Sequence, residues 1–474
     1  RGLGDVYKRQ KLCMLKVRRI LFISLLLRKK NVILIVVLKL RKVIYLANNP
    51  IILPSYHPII QNNMKINKYS LNNGLRLVHY QDLSTQMVAL NIVYDVGARD
   101  EHPEHTGFAH LFEHLMFGGS VNIPDYDAPL QSAGGENNAW TNNDITNYYL
   151  TVPKSNVEIG FWLESDRMME LAFSEQSLEV QRGVVMEEFK QRCLNQPYGD
   201  VGHLIRPLAY EVHPYRWPTI GKDLSHIEQA TLEEVKSFFY RFYAPNNAVL
   251  AVTGNISWEE TVRLTEKWFG PIPRRDVPVR QLPQEPVQTK ERRQVVKRPV
   301  PLDALFMAYH MCSREHPDYY AFDILSDILS NGRSSRLNRR LVQEQKLFSG
   351  IDAYISGTRD AGLLHISGKP SAGVSLEQAE AAVRKELQEL QQVAIEEQEL
   401  EKVKNKFEST QIFGNINYLN VATNLAWFEL AGQAEDIDRE VERYRAVTAE
   451  QLKAVAQETF REENSVVLYY EKDK

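Results

Sequence analysis

The sequence predicts an α+β protein made of two homologous halves. Three observations carry that reading: short apolar or alternating runs interleaved with longer amphipathic ones, a degenerate repeat of about 215 residues, and a proline-rich stretch between the copies. Runs over 75–80, 88–96 and 248–253 read as strands, and segments over 157–171, 232–242 and 376–393 read as helices. The repeat is legible at both ends of each copy. Residues 88–103 parallel 303–317, and pairing Pro103 with Pro317 also pairs Phe108 with Phe322. Residues 231–236 and 247–252 parallel 448–453 and 464–469 at matching offsets. Between the copies, Pro271, Pro273, Pro278, Pro283 and Pro286 fall among polar residues with little capacity to form a core, which predicts an extended linker. The expected organisation is a first domain over 64–270, a linker over 271–290 and a second domain over 291–474, with residues 1–63 standing apart.

His110, Glu113 and His114 form a His-x-x-Glu-His motif in the first copy. On a helix the two histidines lie one turn apart and project from one side, close enough to hold one metal ion. Glu113, beside His114, can reach a water on that ion. Two imidazoles and a nearby carboxylate are the minimum for zinc-assisted hydrolysis, in the inverse of the commoner His-Glu-x-x-His order. The competing reading is a merely solvated helix face. Context argues against it. At ~100° per residue Phe108, Leu111, Phe112 and Leu115 form one apolar stripe with the motif opposite, and residues 100–153 contain no Lys or Arg, which a solvated face would usually mix in. In the second copy the motif positions fall on Ile324, Asp327 and Ile328, so that copy has lost the site.

A catalytic zinc site needs a third protein ligand. The best candidate is Glu188, on a segment that reads as a helix with Leu178, Val185 and Phe189 facing inward and Glu187 pointing away. A carboxylate on the flank of a buried face is costly unless paired. A metal would pair it, and so would a neighbouring basic side chain; the residues alone leave both open.

His110, Glu113 and His114, the later glutamate in the run Val184 to Glu188, and Gly134, Gly135, Asn138, Ala139, Thr141, Asp144, Thr146 and Tyr148 at their spacings resemble the pitrilysin/insulinase family of zinc peptidases. The chain is most similar to the short branch, which includes mitochondrial processing peptidase subunits and bacterial relatives, from about residue 64 onward. The resemblance implies α/β-sandwich-like halves enclosing a cleft, with a catalytic half facing a metal-free half. It implies a zinc endopeptidase acting on peptides or small unfolded polypeptides, with one Zn2+ per chain on His110, His114 and Glu188 and with Glu113 as general base. It also implies an edge strand on which Asn138, Ala139 and Thr141 bind extended peptide through main-chain hydrogen bonds.

Two departures from the family pattern matter. Seven positions before the ligand glutamate the family usually has an acid; here Gln181 stands there, able to orient a neighbour but not to supply charge. An Arg and a Tyr seven residues apart usually follow a segment matched here by residues 332–337, and the aligned positions are Val342 and Ser349. Arg339, Arg340 and Tyr354 read as surface helix and strand residues rather than replacements. The missing pair implies that this chain brings the metal while a homologous partner subunit helps bind substrate. The alternatives are a self-sufficient homodimeric peptidase and a non-catalytic assembly subunit of the same family.

Residues 1–63 carry 13 Lys or Arg against one acid, whereas the remainder carries 44 against 59. Residues 5–10 look like a translated adapter, so the expectation is spurious upstream translation. The alternative is a leader or membrane anchor from Met14, whose apolar runs fall short of the ~20 residues that span a bilayer. The acidic balance of the remainder argues against nucleic-acid binding. Cys13, Cys193 and Cys312 form no zinc or disulfide framework. The expected location is the cytoplasm, without membrane association, or the periplasm or a membrane surface if the leader is genuine.

Overall fold

The computed structural model describes residues 64–473; the expectations for residues 1–63, Cys13 among them, lie outside the described residues. Among the described residues eleven strands fall into two sheets. The first contains β1 (Ile66–Ser70), β2 (Arg76–Gln81), β3 (Met87–Tyr94), β4 (Glu136–Thr141), β5 (Thr146–Pro153) and β6 (Ala248–Gly254) in the order β1-β2-β6-β3-β5-β4. The second contains β7 (Arg292–Arg298), β8 (Ala304–His310), β9 (Phe348–Ile355), β10 (Leu363–Pro370) and β11 (Ser465–Lys472) in the order β7-β11-β8-β10-β9. Apart from β1 the two orders are the same. Each sheet has one parallel pair, β2 with β6 and β7 with β11, and its other pairs are antiparallel. The repeat in the sequence is thus a repeat of topology, with β4 and β9 as equivalent edges.

The expected helices are present over Val157–Met169, Leu232–Phe242 and Leu376–Gln392. The first stops two residues early because Glu170 turns extended and Leu171 pairs with Ser120 as an isolated bridge. Leu232–Phe242 begins at a capping box in which Thr231 and Glu234 satisfy each other's backbone N–H.

Central strands bury both faces, as the alternation of side chains requires. On β3, Val88, Leu90, Ile92 and Tyr94 face the core built with the first half's own helices. Ala89 and Val93 face the other way, where Val421, Ala422 and Leu425 cover them. Those residues belong to the helix Tyr418–Ala431, which comes from the second half of the chain. The reciprocal exchange occurs on the second sheet, where Ala308, Leu363 and Val466 pack against Ile205 and Ala209 of the helix Val201–Ala209. Each half therefore lends a helix to the other's outer sheet face.

The turn between β9 and β10 completes the contact between halves. The Arg359 N–H donates to Asp144 at 3.0 Å and the Asp360 N–H to the Tyr215 hydroxyl at 3.1 Å. Between Phe269 and Arg292 the chain forms neither helix nor strand. Its first part is nonetheless anchored: Ile272 is buried in the first core, and Arg275 donates to the carbonyls of Met169 and Tyr243. Among the described residues no helix is long and apolar enough to cross a membrane. Cys193 and Cys312 are free thiols.

Candidate metal centre

The motif helix spans Phe108–Leu115 and is only two turns long. Eight residues do not hold a helix alone, so its neighbours must. Phe112 clusters with Phe238 and Tyr243, its ring stacked against each, and the Tyr148 hydroxyl donates to the Phe112 carbonyl at 3.2 Å. Its start, at Gly107 in the left-handed region, carries no side-chain cap of its own. Glu101 supplies one from outside: its two carboxylate oxygens accept the N–H groups of Gly107 and Ala109, each at 2.9 Å. Burial raises the Glu101 carboxyl to about 8, against the lowering effect of those two donors.

The second helix runs from Glu175 to Phe189, capped by Ser174 and buried through Leu178, Val185 and Phe189. That phase leaves Glu188 half-buried on the flank, while Glu187 is 63% exposed and pairs with Lys190. The two helices pack so that His110, His114 and Glu188 converge. Glu188 Oε2 lies 3.6 Å from His110 Nε2 and 3.3 Å from His114 Nε2. One ligand atom from each residue falls within 4.8 Å of the others, the only such His/Cys/Asp/Glu group among the described residues.

The electrostatics suit a cation. Burial lowers His110 to about 4, which keeps its ring neutral and a nitrogen lone pair free. His114, whose Nε2 lies 3.3 Å from Oε2, acts ahead of the other charges to hold the Glu188 carboxyl below its ordinary value despite burial. Burial pushes the Glu113 carboxyl up, opposed by the Thr141 hydroxyl and by His114. Two imidazoles and one carboxylate are the donor set of a catalytic zinc site. His110 Nδ1 is buried without a hydrogen-bond partner among the described residues.

The remaining sequence candidates are placed unevenly. Asn138, Ala139 and Thr141 lie on the edge strand β4, beside the motif helix. Asn138 is exposed and its side-chain carbonyl accepts the Ala139 N–H at 2.8 Å. Thr141 turns inward, its hydroxyl oxygen buried near Glu113 without a formed hydrogen bond. Gln181 sits near Gly118 and makes no side-chain hydrogen bond among the described residues, so nothing ties it to Glu188.

The group that does touch Glu188 is Arg192, whose guanidinium lies 2.9 Å from Oε1 and leaves Oε2 to the histidines. Of the two pairings open for Glu188 in sequence, the basic side chain is present on Oε1, and Oε2 faces the two histidines. The Glu188–Arg192 spacing of four residues was a visible signal for the pair. Glu101 gave no such signal, because its bonds cross a loop.

In the second half, Ile324 and Ile328 are core residues and Asp327 pairs with Lys406 at 2.7 Å. Val342 packs partly buried against that core, and the Ser349 hydroxyl donates to the Lys369 carbonyl. Arg340 is engaged by Glu386 and Glu389 at 2.6 Å each, and Tyr354 stacks on His365.

Comparison with known proteins follows this division. The family described as "Insulinase (Peptidase family M16)" matches residues 76–199, and "Peptidase M16 inactive domain" matches 229–407. "Zinc protease PqqE" of Helicobacter pylori is 28% identical over 406 residues, covering 84% of this chain and 91% of the relative. "Uncharacterized zinc protease YmxG" of Bacillus subtilis is 24% identical over 411 residues, covering 85% and 98%. The crystal structure of a protease from Helicobacter pylori superposes with a TM-score of 0.82 at 27% identity, covering 86% of this chain and 99% of that one.

Proposed function

We infer, because the chain belongs to the insulinase (M16) family of peptidases, that it is a zinc-dependent endopeptidase acting on peptides or small unfolded polypeptides. The observation that carries this reading is the convergence of His110, His114 and Glu188 beside a partly desolvated Glu113. His110 and His114 would hold one zinc ion through Nε2 and Glu188 through Oε2. Bound zinc supplies Lewis acidity, polarising the scissile carbonyl and lowering the pKa of water towards ~7. Glu113 takes a proton from the attacking water and returns it to the leaving amine. Burial suits it to this, since a carboxylate with a raised pKa is the better base. The free edge of β4 accepts an extended peptide by main-chain pairing, which leaves side-chain selection to the walls around it.

We assign this chemistry to the domain over 64–270, with the linker over 271–290 leading to a metal-free domain over 291–474. Val342 and Ser349, standing where the Arg and Tyr of active single-chain relatives are expected, support a homologous partner subunit that completes substrate binding. Glu113→Gln tests the mechanism: zinc content stays at one per chain while kcat/KM falls by about 10²–10⁴-fold, the range for loss of a general base. Unchanged cleavage would reject the assignment. Assaying the chain alone and with a homologous partner separates the paired from the self-sufficient enzyme.

A further inference from the structure

A second feature lies outside the metal centre and plays no part in the reaction proposed for it. Beneath the linker is a cavity of about 390 Å3, within the size range of small-molecule sites. Its apolar walls include Trp217, Phe242, Pro214 and the linker residues Pro278 and Leu282.

The charges around it divide into two kinds. Arg280 meets Asp100 at 2.6 Å and Asp95 at 3.2 Å. Arg99 meets Asp95 at 3.3 Å and both Asp144 and Asp360 at 3.1 Å. Glu101, another acidic wall residue, is committed to the N–H groups of Gly107 and Ala109. Arg216 and Arg241 differ: neither has a carboxylate partner among the described residues. Arg216 lies over the Trp217 ring at 5.5 Å and donates to the Glu211 carbonyl, and Arg241 lies over the Phe242 ring at 5.0 Å. A guanidinium held near an aromatic face without a carboxylate partner keeps N–H groups available to an anion.

Two spare cations on an aromatic, proline-walled cavity match one class of ligand. We propose that this cavity binds an organic anion with an apolar body, a carboxylate or sulfonate on an aryl or branched alkyl group. Arg216 and Arg241 take the anion, and Trp217, Phe242 and Pro278 take the body. The site is about the right size for a small acid and adjoins the cap of the motif helix through Glu101.

The test uses the full chain and two probes of nearly equal shape, N-acetylphenylalaninate and its neutral amide, titrated by calorimetry. The carboxylate is expected to bind at least about tenfold more tightly than the amide, since charge-assisted bonds to arginine are the difference between them. A double Arg216→Gln, Arg241→Gln variant is expected to lose that preference while its unfolding midpoint stays that of the parent. Glu188→Gln is expected to leave binding unchanged, which separates this cavity from the metal cluster. Equal binding of the amide, a retained preference in the double variant, loss of binding with Glu188→Gln, or no saturable binding of the carboxylate would each overturn the proposal.

Discussion

Replacing Glu101 probes how the motif helix is held. Its carboxylate is 6% exposed and carries two backbone bonds of 2.9 Å to the first turn of a helix with no cap of its own. Glu101→Ala strands both donors away from water. At about 1–3 kcal/mol for each unsatisfied buried group, the loss is about 2–6 kcal/mol. Glu101→Gln keeps one acceptor and turns an amide N–H towards the other donor, so roughly half that loss is expected. Because the stranded turn is the one leading into His110, zinc affinity should fall with stability, Ala more than Gln. Urea unfolding measures the first quantity, and competition with a chelator measures the second. An Ala variant within about 0.5 kcal/mol of the parent, with unaltered zinc affinity, would show that the cap does not hold the helix.

Glu188→Gln should weaken zinc by more than the roughly 100-fold that loss of an outer partner costs, whereas Glu187→Gln should leave it unchanged, because that side chain is 63% exposed and faces Lys190; equal effects in a chelator titration would refute the helix phase. Asp360 is held at about 2, first by His213, whose Nε2 lies 3.5 Å from its carboxylate, and then by Arg99, against the effect of burial. Its folded value lies below the ordinary 3.8, so its contribution is complete above 3.8 and is lost as pH falls towards about 2. The stability difference between the parent and Asp360→Asn should therefore be largest at neutral pH and shrink over that acidic window; a difference that grows on acidification would contradict the seam between halves.

Local period and repetition are legible in the residues before any fold is known. The spacing of His110 and His114 fixes their common face on any helix, and the inward stripe of Leu178, Val185 and Phe189 fixes the phase that puts Glu188 on a flank and Glu187 outside. The repeat foretold that the second copy would fold like the first without its His-x-x-Glu-His residues, and apart from β1 the two sheets share one strand order. Tertiary structure decided the rest, because an apolar or polar face does not name its partner. The outer faces of β3 and β6 require a cover, but only the folded chain shows that the cover comes from the helix Tyr418–Ala431 of the other half. Glu188 could equally have met a metal or a base, and packing gave one oxygen to Arg192 and the other to the histidines. Glu101 looked like one acid among many until the loop after it returned to the start of the motif helix, where two unpaired N–H groups left a place that only an acceptor could fill.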